Sequence, residues 1–187
     1  MQPSTIQQPI PDLACIVLGV NDQPGLVAAV RSVVMESPRP EVVVVNSGGG
    51  DPRSGLLRAG FDVPVINAPG RLYPGAARNR GIAGTSAPFV AFLAGDDLAE
   101  PGWVEARLRL HRNGVTAVAA ALVNAYRWNP FALASFLLLY HRRMETTPAP
   151  ARLLYGVSYD RRLFAEYGLF REDLRAGEDS EFNGRLP

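Results

Sequence analysis

Apolar residues fall in short unbroken blocks, separated by polar, glycine-rich turns and by stretches with helical spacing. The blocks at 13–20, 42–45 and 89–93 are apolar at nearly every position, which predicts strands buried on both faces, as in a parallel sheet. A shorter block at 63–66 contains Pro64, which moves it towards a sheet edge or a strand start. Between the first two blocks, Leu26, Val27, Val30, Val33 and Val34 share one helical face, and that helix must stop before Pro38 and Pro40. Asp51-Pro52 reads as a cap and first residue of a short helix reaching about Ala59. Residues 75–83 predict a helix packed through small residues. Glu100-Pro101-Gly102-Trp103 opens another, which ends near His111 ahead of Asn113-Gly114. The Ala- and Val-rich run 115–123 predicts a further strand.

Alternation of strand and helix predicts an α/β fold, a Rossmann-like, mostly parallel central sheet with helices on both faces. The polar turns at 21–25, 46–51, 67–74 and 94–97 all follow strands. They therefore gather along one edge, where open α/β sheets bind ligands. Beyond Asn124 the pattern weakens. Phe131 to Tyr140 is an apolar helix followed by His141-Arg142-Arg143, with Trp128 and Tyr140 near its ends. It is too short to span a bilayer and suits either a membrane interface or a core or flap helix. Residues 146–150 read as a proline-rich loop, 153–159 as a strand and 161–167 as a short helix. A last helix opens at Gly177-Glu178-Asp179 with acids in its first turn, as the helix dipole favours. Residues 1–12 form a Gln- and Pro-rich lead-in without the basic region and apolar core of a signal peptide. No internal repeat is present.

At 187 residues the chain predicts one domain. Its net charge of +1 supplies no basic field for nucleic acid. The single cysteine, Cys15, lies in an apolar block, so it reads as a buried thiol in a chain with no internal disulfide. All 19 basic side chains are arginine. Without lysine there is no Schiff base, no pyridoxal linkage and no P-loop lysine. The two histidines, His111 and His141, lie on predicted helices away from the polar edge and read as surface or partly buried helical histidines. That argues against a Ser-His-Asp or Cys-His hydrolase, and the lack of clustered His and Cys against zinc.

The candidate chemistry sits at Phe89-Val90-Ala91-Phe92-Leu93-Ala94-Gly95-Asp96-Asp97, where a buried strand runs straight into two adjacent carboxylates. Such a pair repels itself unless solvated or bridged by a cation. It reads as a solvated turn capping the next helix, or as a seat for a hard divalent metal carrying a phosphorylated substrate.

With these pieces in order the chain resembles a family 2, inverting glycosyltransferase of the GT-A fold, over about residues 13–186. Four segments carry the resemblance: Ile16-Val17-Leu18-Gly19-Val20-Asn21 with Arg31-Ser32-Val33; Val42 to Ser47 with the glycines that follow; Ala77-Arg78-Asn79-Arg80-Gly81-Ile82 ahead of the strand ending at Asp97; and Gly177-Glu178-Asp179 with Arg185. The resemblance implies transfer of a sugar from a nucleotide diphosphate to an acceptor hydroxyl. It makes Asp96 the carboxylate that binds a divalent metal, Mg²⁺ or Mn²⁺, with Asp97 beside it. It makes Asp179 the general base, with Glu178 as its neighbour. Asn21, Asn46, Ser47, Arg78, Asp97 and Arg185 are the nucleotide-sugar contacts; Arg78 is the first choice for phosphate, ahead of Arg71 and Arg185. The acceptor implied is a saccharide or lipid-linked saccharide, for a cytoplasmic enzyme working at the inner membrane face.

Two positions depart from that pattern. Ala94 stands where the family usually has the first acid of its DxD motif, and Asn46 where it usually has the aspartate that meets the base. Asn46 can accept a hydrogen bond from uracil N3–H, but its amide also donates, so the nucleotide is open: uridine diphosphate is the default, with guanosine and deoxythymidine as alternatives. The chain stops at Leu186-Pro187, where the family continues with further strands, helices and often a late histidine or arginine. A non-catalytic nucleotide-sugar-binding or scaffold member is the alternative reading. A sugar nucleotidyltransferase fits less well, since the first turn, Val20-Asn21-Asp22-Gln23-Pro24-Gly25, is not glycine-rich and lysine is absent.

Overall fold

The computed structural model describes residues 11–21, 23–126, 128–144 and 157–187. Six strands form one sheet, β1 (Leu13–Gly19), β2 (Glu41–Asn46), β3 (Val65–Asn67), β4 (Phe89–Ala94), β5 (Ala117–Val118) and β6 (Ser158–Asp160), in the order β3-β2-β1-β4-β6-β5. The four strands β3, β2, β1 and β4 are parallel, while β6 runs antiparallel to both of its neighbours.

Alternation along the strands explains why their sequences are apolar throughout. In β1, Ile16 joins a cluster with Val43, Val45, Val90 and Phe92, while Cys15 and Val17 face Leu26, Val30, Val42 and Val44 on the other side. Helices α1 (Leu26–Val34), α2 (Arg53–Arg58) and α4 (Trp103–Arg112) cover the second face. Helices α3 (Pro74–Ala83), α6 (Arg162–Tyr167) and α7 (Glu178–Arg185) cover the first. There the rings of Phe92, Tyr159, Phe164, Phe170 and Phe182 meet mostly edge-on or tilted. The Cys15 thiol is fully buried, which pushes its pKa up to about 12.

Helix α3 is placed by its glycines. A side chain at Gly81 would run into Ile16 of β1, and one at Gly75 into the Arg171 carbonyl ahead of α7. Close approach at these two points brings Arg78 up beside α7. Arg161 closes the other end of the helix, donating to the Ile82 and Ala87 carbonyls and the Thr85 hydroxyl at 2.7–2.9 Å.

Four expectations need correction. The strand anticipated over 115–123 is only Ala117–Val118, and it lies at the sheet edge beyond β6. Its later positions are alanines with little surface to bury, and from residue 119 the chain leaves the sheet. His111, expected at the surface or partly buried, is buried: it stacks on Phe89, with Nε2 2.8 Å from the Ser158 hydroxyl and Nδ1 2.7 Å from the Val115 carbonyl. Helix α5 (Pro130–Tyr140) has no buried residue, so it is not a core helix. Pro52, not Asp51, occupies the cap position of α2, which starts at Arg53; the Asp51 carboxylate, one residue earlier, accepts from Arg53 N at 3.0 Å. The lead-in through residue 10, the 146–150 loop and the start of the 153–159 strand lie outside the described residues.

His111 makes stability depend on pH. Burial holds its pKa below the ordinary value, and the charge of Arg107 adds to that, while the Val115 bond and Asp160 pull it back up. The folded state thus keeps a neutral ring while the unfolded chain takes up a proton near pH ~6.5. Its contribution to stability is full above that pH and falls as the pH drops below it. Thermal melts on either side of about pH 6.5 should show a larger loss for wild type than for His111→Gln; equal losses would remove His111 as the cause.

Candidate active site

The strand-end turns are tied together by one buried amide. Asn46, at the end of β2, is 0% exposed. Its Oδ1 accepts from the Asn21 backbone N–H at 2.9 Å, and its Nδ2 lies 3.0 Å from each of the Gly49 carbonyl, the Gly50 carbonyl and Asn67 Oδ1. Asn21 sits at φ 55°, a left-handed conformation that asparagine tolerates. With its carboxamide nitrogen turned towards them, it reaches the Gly48 and Gly49 carbonyls at 2.7 and 2.6 Å. Ser47 pins the next turn: its hydroxyl accepts from Leu72 N at 2.7 Å and donates to Leu72 O at 3.2 Å.

Asn46 therefore shapes the edge but leaves no surface for a base. The amide is needed as a donor, so the aspartate usual in the family would be costly here. Asn46→Asp should destabilise the fold by about 3 kcal/mol, because a buried carboxylate would face two carbonyls it cannot satisfy. Denaturant titration checks this; a loss under about 0.5 kcal/mol would mean that the loops rearrange freely around the acid.

Asp96 and Asp97 lie in a turn, not on the strand, since β4 ends at Ala94 and Asp97 N donates to Ala94 O at 3.0 Å. Both are exposed. Partial burial of the Asp97 carboxyl and the neighbouring charge of Asp96 hold its pKa above the usual carboxylate range, while Arg143 pulls it down. Among the described residues no three Asp, Glu, His or Cys side chains converge as a metal cage. Two adjacent, mutually repelling carboxylates fit a different kind of cation site. A magnesium-like ion keeps several waters, takes one or two carboxylates and draws the rest from substrate phosphate.

Across the edge, the start of α7 faces α3. Gly177, at φ 84°, turns the chain so that Glu178 and Asp179 enter the helix pointing inward, 4% and 6% exposed. Arg78 donates to Glu178 Oε1 from Nε and Nη2, each at 3.0 Å. Its guanidinium lies over the rings of Phe92 and Phe170, 4.8 and 5.5 Å from their centroids. Glu178 is thus neutralised by an ion pair. Asp179 is not; its only side-chain bond among those described is from Ser180 N at 2.8 Å. Burial raises its pKa, Arg78 opposes this, and Glu178 adds to it.

A cavity of about 730 Å³ opens between the two groups. Gly19, Ser47 and Ala94 form part of its wall on the sheet side, and Arg78, Glu178 and Asp179 part of the other. Of the residues singled out from sequence, Ser47, Arg78, Glu178 and Asp179 meet here. Buried Asn46 and exposed Asn21 do not line it, and neither do Asp96 and Asp97, which lie two and three residues beyond Ala94. Arg185 is elsewhere: its guanidinium holds the Tyr167 and Leu169 carbonyls and Glu181, beside the Phe182 ring. Exposed Arg71 and Arg175 line the cavity instead. Arg175 was missed from sequence; its place just before the Gly177 turn was the available signal.

A parallel sheet with an antiparallel strand inserted beside β4, helices on both faces and an acid-rimmed cavity at the strand ends is the architecture of GT-A glycosyltransferases. Solved structures share it: Staphylococcus aureus TarS 1–349 in complex with UDP-GlcNAc superposes with a TM-score of 0.68 at 15% identity, covering 93% of this chain and 52% of that one. The mannosyltransferase PcManGT from Pyrobaculum calidifontis, in complex with GDP-Man and Mn²⁺, gives 0.65 at 17% identity, covering 92% and 51%. The chain belongs to glycosyl transferase family 2, whose model matches residues 15–163. It is 30% identical over 189 residues to the pre-mycofactocin glycosyltransferase of Mycobacterium tuberculosis, covering 94% of this chain and 39% of that protein. It is 32% identical over 97 residues to the succinoglycan biosynthesis protein ExoU of Rhizobium meliloti, covering 49% and 28%. The chain thus spans about two fifths, or less, of the length of these curated relatives.

Proposed function

We propose that the chain transfers a sugar from a nucleotide-diphosphate sugar to an acceptor hydroxyl with inversion, in polysaccharide or glycolipid synthesis. The observation that carries the reading is Asp179. It is a buried carboxylate on a large cavity, its pKa raised, beside a second carboxylate already neutralised by Arg78. A carboxylate so tuned is suited to take a proton near neutral pH.

Asp179 accepts the acceptor's hydroxyl proton as that oxygen forms its bond to the anomeric carbon. The bond from the same carbon to the diphosphate oxygen breaks on the opposite side, and the nucleoside diphosphate leaves. Asp96, with Asp97 beside it, would hold a divalent cation, Mg²⁺ or Mn²⁺, which supplies charge neutralisation at the leaving diphosphate when bound. Arg78, committed to Glu178, positions that carboxylate, and Arg71 and Arg175 are better placed than Arg185 to meet phosphate oxygens. With Asn46 buried, the base would be read by the loops that Asn46 and Ser47 hold in place. Uridine is kept as the default nucleoside on the likeness to TarS in complex with UDP-GlcNAc, not on Asn46. The acceptor proposed, from the family resemblance, is a saccharide or a lipid-linked saccharide.

Calorimetry with UDP, GDP and dTDP, each with and without Mn²⁺, tests the donor side. One nucleotide should bind in a metal-dependent way, and Asp96→Ala should weaken that binding by tenfold or more, on the order of 1.4 kcal/mol. If a folded protein binds none of the three, the donor site is lost and the non-catalytic reading takes over, favoured by Ala94 and the fully occupied Asn46.

A further inference from the structure

Helix α5 has no role in the site or the core. It carries ten apolar or aromatic side chains and Ser135 in eleven positions, none of them buried. Trp128 ahead of it is 98% exposed, Phe131 84%, Leu138 78% and Leu139 67%. The less exposed positions, Ala132 and Phe136, mark its inner side, and Phe131, Ser135 and Leu138 run along its outer side towards exposed Arg142. The charge around it is one-sided. Arg142 and Arg143 follow it after His141, and residues 106–144 contain no acidic residue; of the other arginines there, Arg107 is buried and Arg112 is paired with Asp12.

We propose that α5 docks the protein on an anionic lipid surface. Eleven helical residues extend about 16 Å, too short for a hydrocarbon core about 30 Å thick, so the helix would lie in the plane of the interface. Its outer apolar side enters the boundary between headgroups and acyl chains. Trp128 and Tyr140 sit at the two ends, where amphipathic rings favour the interface, and Arg142 meets anionic headgroups. A second copy of the chain fits less well: one side of so short a helix falls below the roughly 800 Å² per partner of a stable interface.

The attachment has a consequence for the acceptor. The turn at His141–Arg143 that ends α5 is tied to the rest of the chain by Leu122 N donating to the Arg143 carbonyl at 2.8 Å. Docking through α5 therefore holds the protein at the surface where a lipid-anchored acceptor is presented. This last step rests on the glycosyltransferase reading; the docking itself does not.

The test is cosedimentation of the full chain with phosphatidylcholine vesicles, with and without phosphatidylglycerol. Wild type should pellet only with the anionic vesicles, less so in high salt. Arg142→Glu and the double variant Phe131→Glu, Leu138→Glu should each bind at least about tenfold more weakly. These side chains are exposed, so melting temperatures should match wild type and donor-nucleotide calorimetry should be unchanged. No pelleting by wild type, or pelleting that the double variant leaves intact, would overturn the proposal. So would a lipid-free dimer that the double variant dissolves, which would assign the face to a second copy. Loss of nucleotide binding with vesicle binding intact would sink the donor reading instead.

Discussion

Asp179→Asn should lower kcat by about 10³-fold while leaving melting temperature and donor binding nearly unchanged. The amide has the shape of the carboxylate and still accepts from Ser180 N. What it lacks is basicity. In wild type, only the ionised carboxylate can take the acceptor proton, so activity rises with pH through the Asp179 pKa. Burial sets that pKa above the ordinary carboxylate value, with Glu178 pushing the same way and Arg78 against. The acid limb of kcat/KM should therefore lie above about pH 4, displaced towards neutrality. A transfer assay with the nucleotide sugar that binds in calorimetry reads both effects. If Asp179→Asn keeps more than a tenth of the wild-type kcat, the base lies elsewhere. If the acid limb sits at the ordinary carboxylate position, the buried environment is not controlling it.

Arg78→Met should be the most damaging substitution for stability near the site. The methionine can still lie between Phe92 and Phe170, but Glu178 is left as a charge without its partner at 6% side-chain exposure. Breaking a buried pair from one side costs about 3–5 kcal/mol, here towards the lower end because Arg78 retains 15% exposure. For a chain of this size that is a drop of roughly 10 °C in Tm. Adding Glu178→Gln should recover much of it, because the unpaired charge is gone. The pair of single variants and the double variant form a cycle whose coupling should exceed about 1 kcal/mol. A coupling near zero would mean that water already compensates Glu178, and the case for a single free carboxylate at Asp179 would weaken with it.

Much of the fold is legible because its signals are local. Unbroken apolar runs at 13–20, 42–45 and 89–93 become β1, β2 and β4, buried on both faces, and helical spacing at Leu26, Val30 and Val33 becomes the inner face of α1. The polar turns meet at one edge because parallel strands leave them no other place. The 115–123 run fails for the same reason that it looked plausible: alanines and valines suit a strand, but pairing stops once β6 runs out at three residues. His111 was misjudged because its partners, Ser158 and Phe89, are 47 and 22 residues away along the chain, so a polar side chain on a helix gave no sign of burial.

The candidate site divides in a similar way. By itself the sequence determined the class of fold and the family, and it singled out candidate carboxylates for the chemistry. Each of those depends on residue type and on order along the chain. Only the tertiary structure decided how the charges are shared. It committed Arg78 to Glu178, left Asp179 as the tuned acid, sent Arg185 to loop carbonyls, and put Arg175 on the cavity. It also turned Asn46 from a ligand contact into a strut. The reason is physical: a side chain's charge and hydrogen-bonding capacity are spent on whatever packing brings within about 3 Å, and those neighbours are set by strand order and helix approach rather than by spacing in the chain.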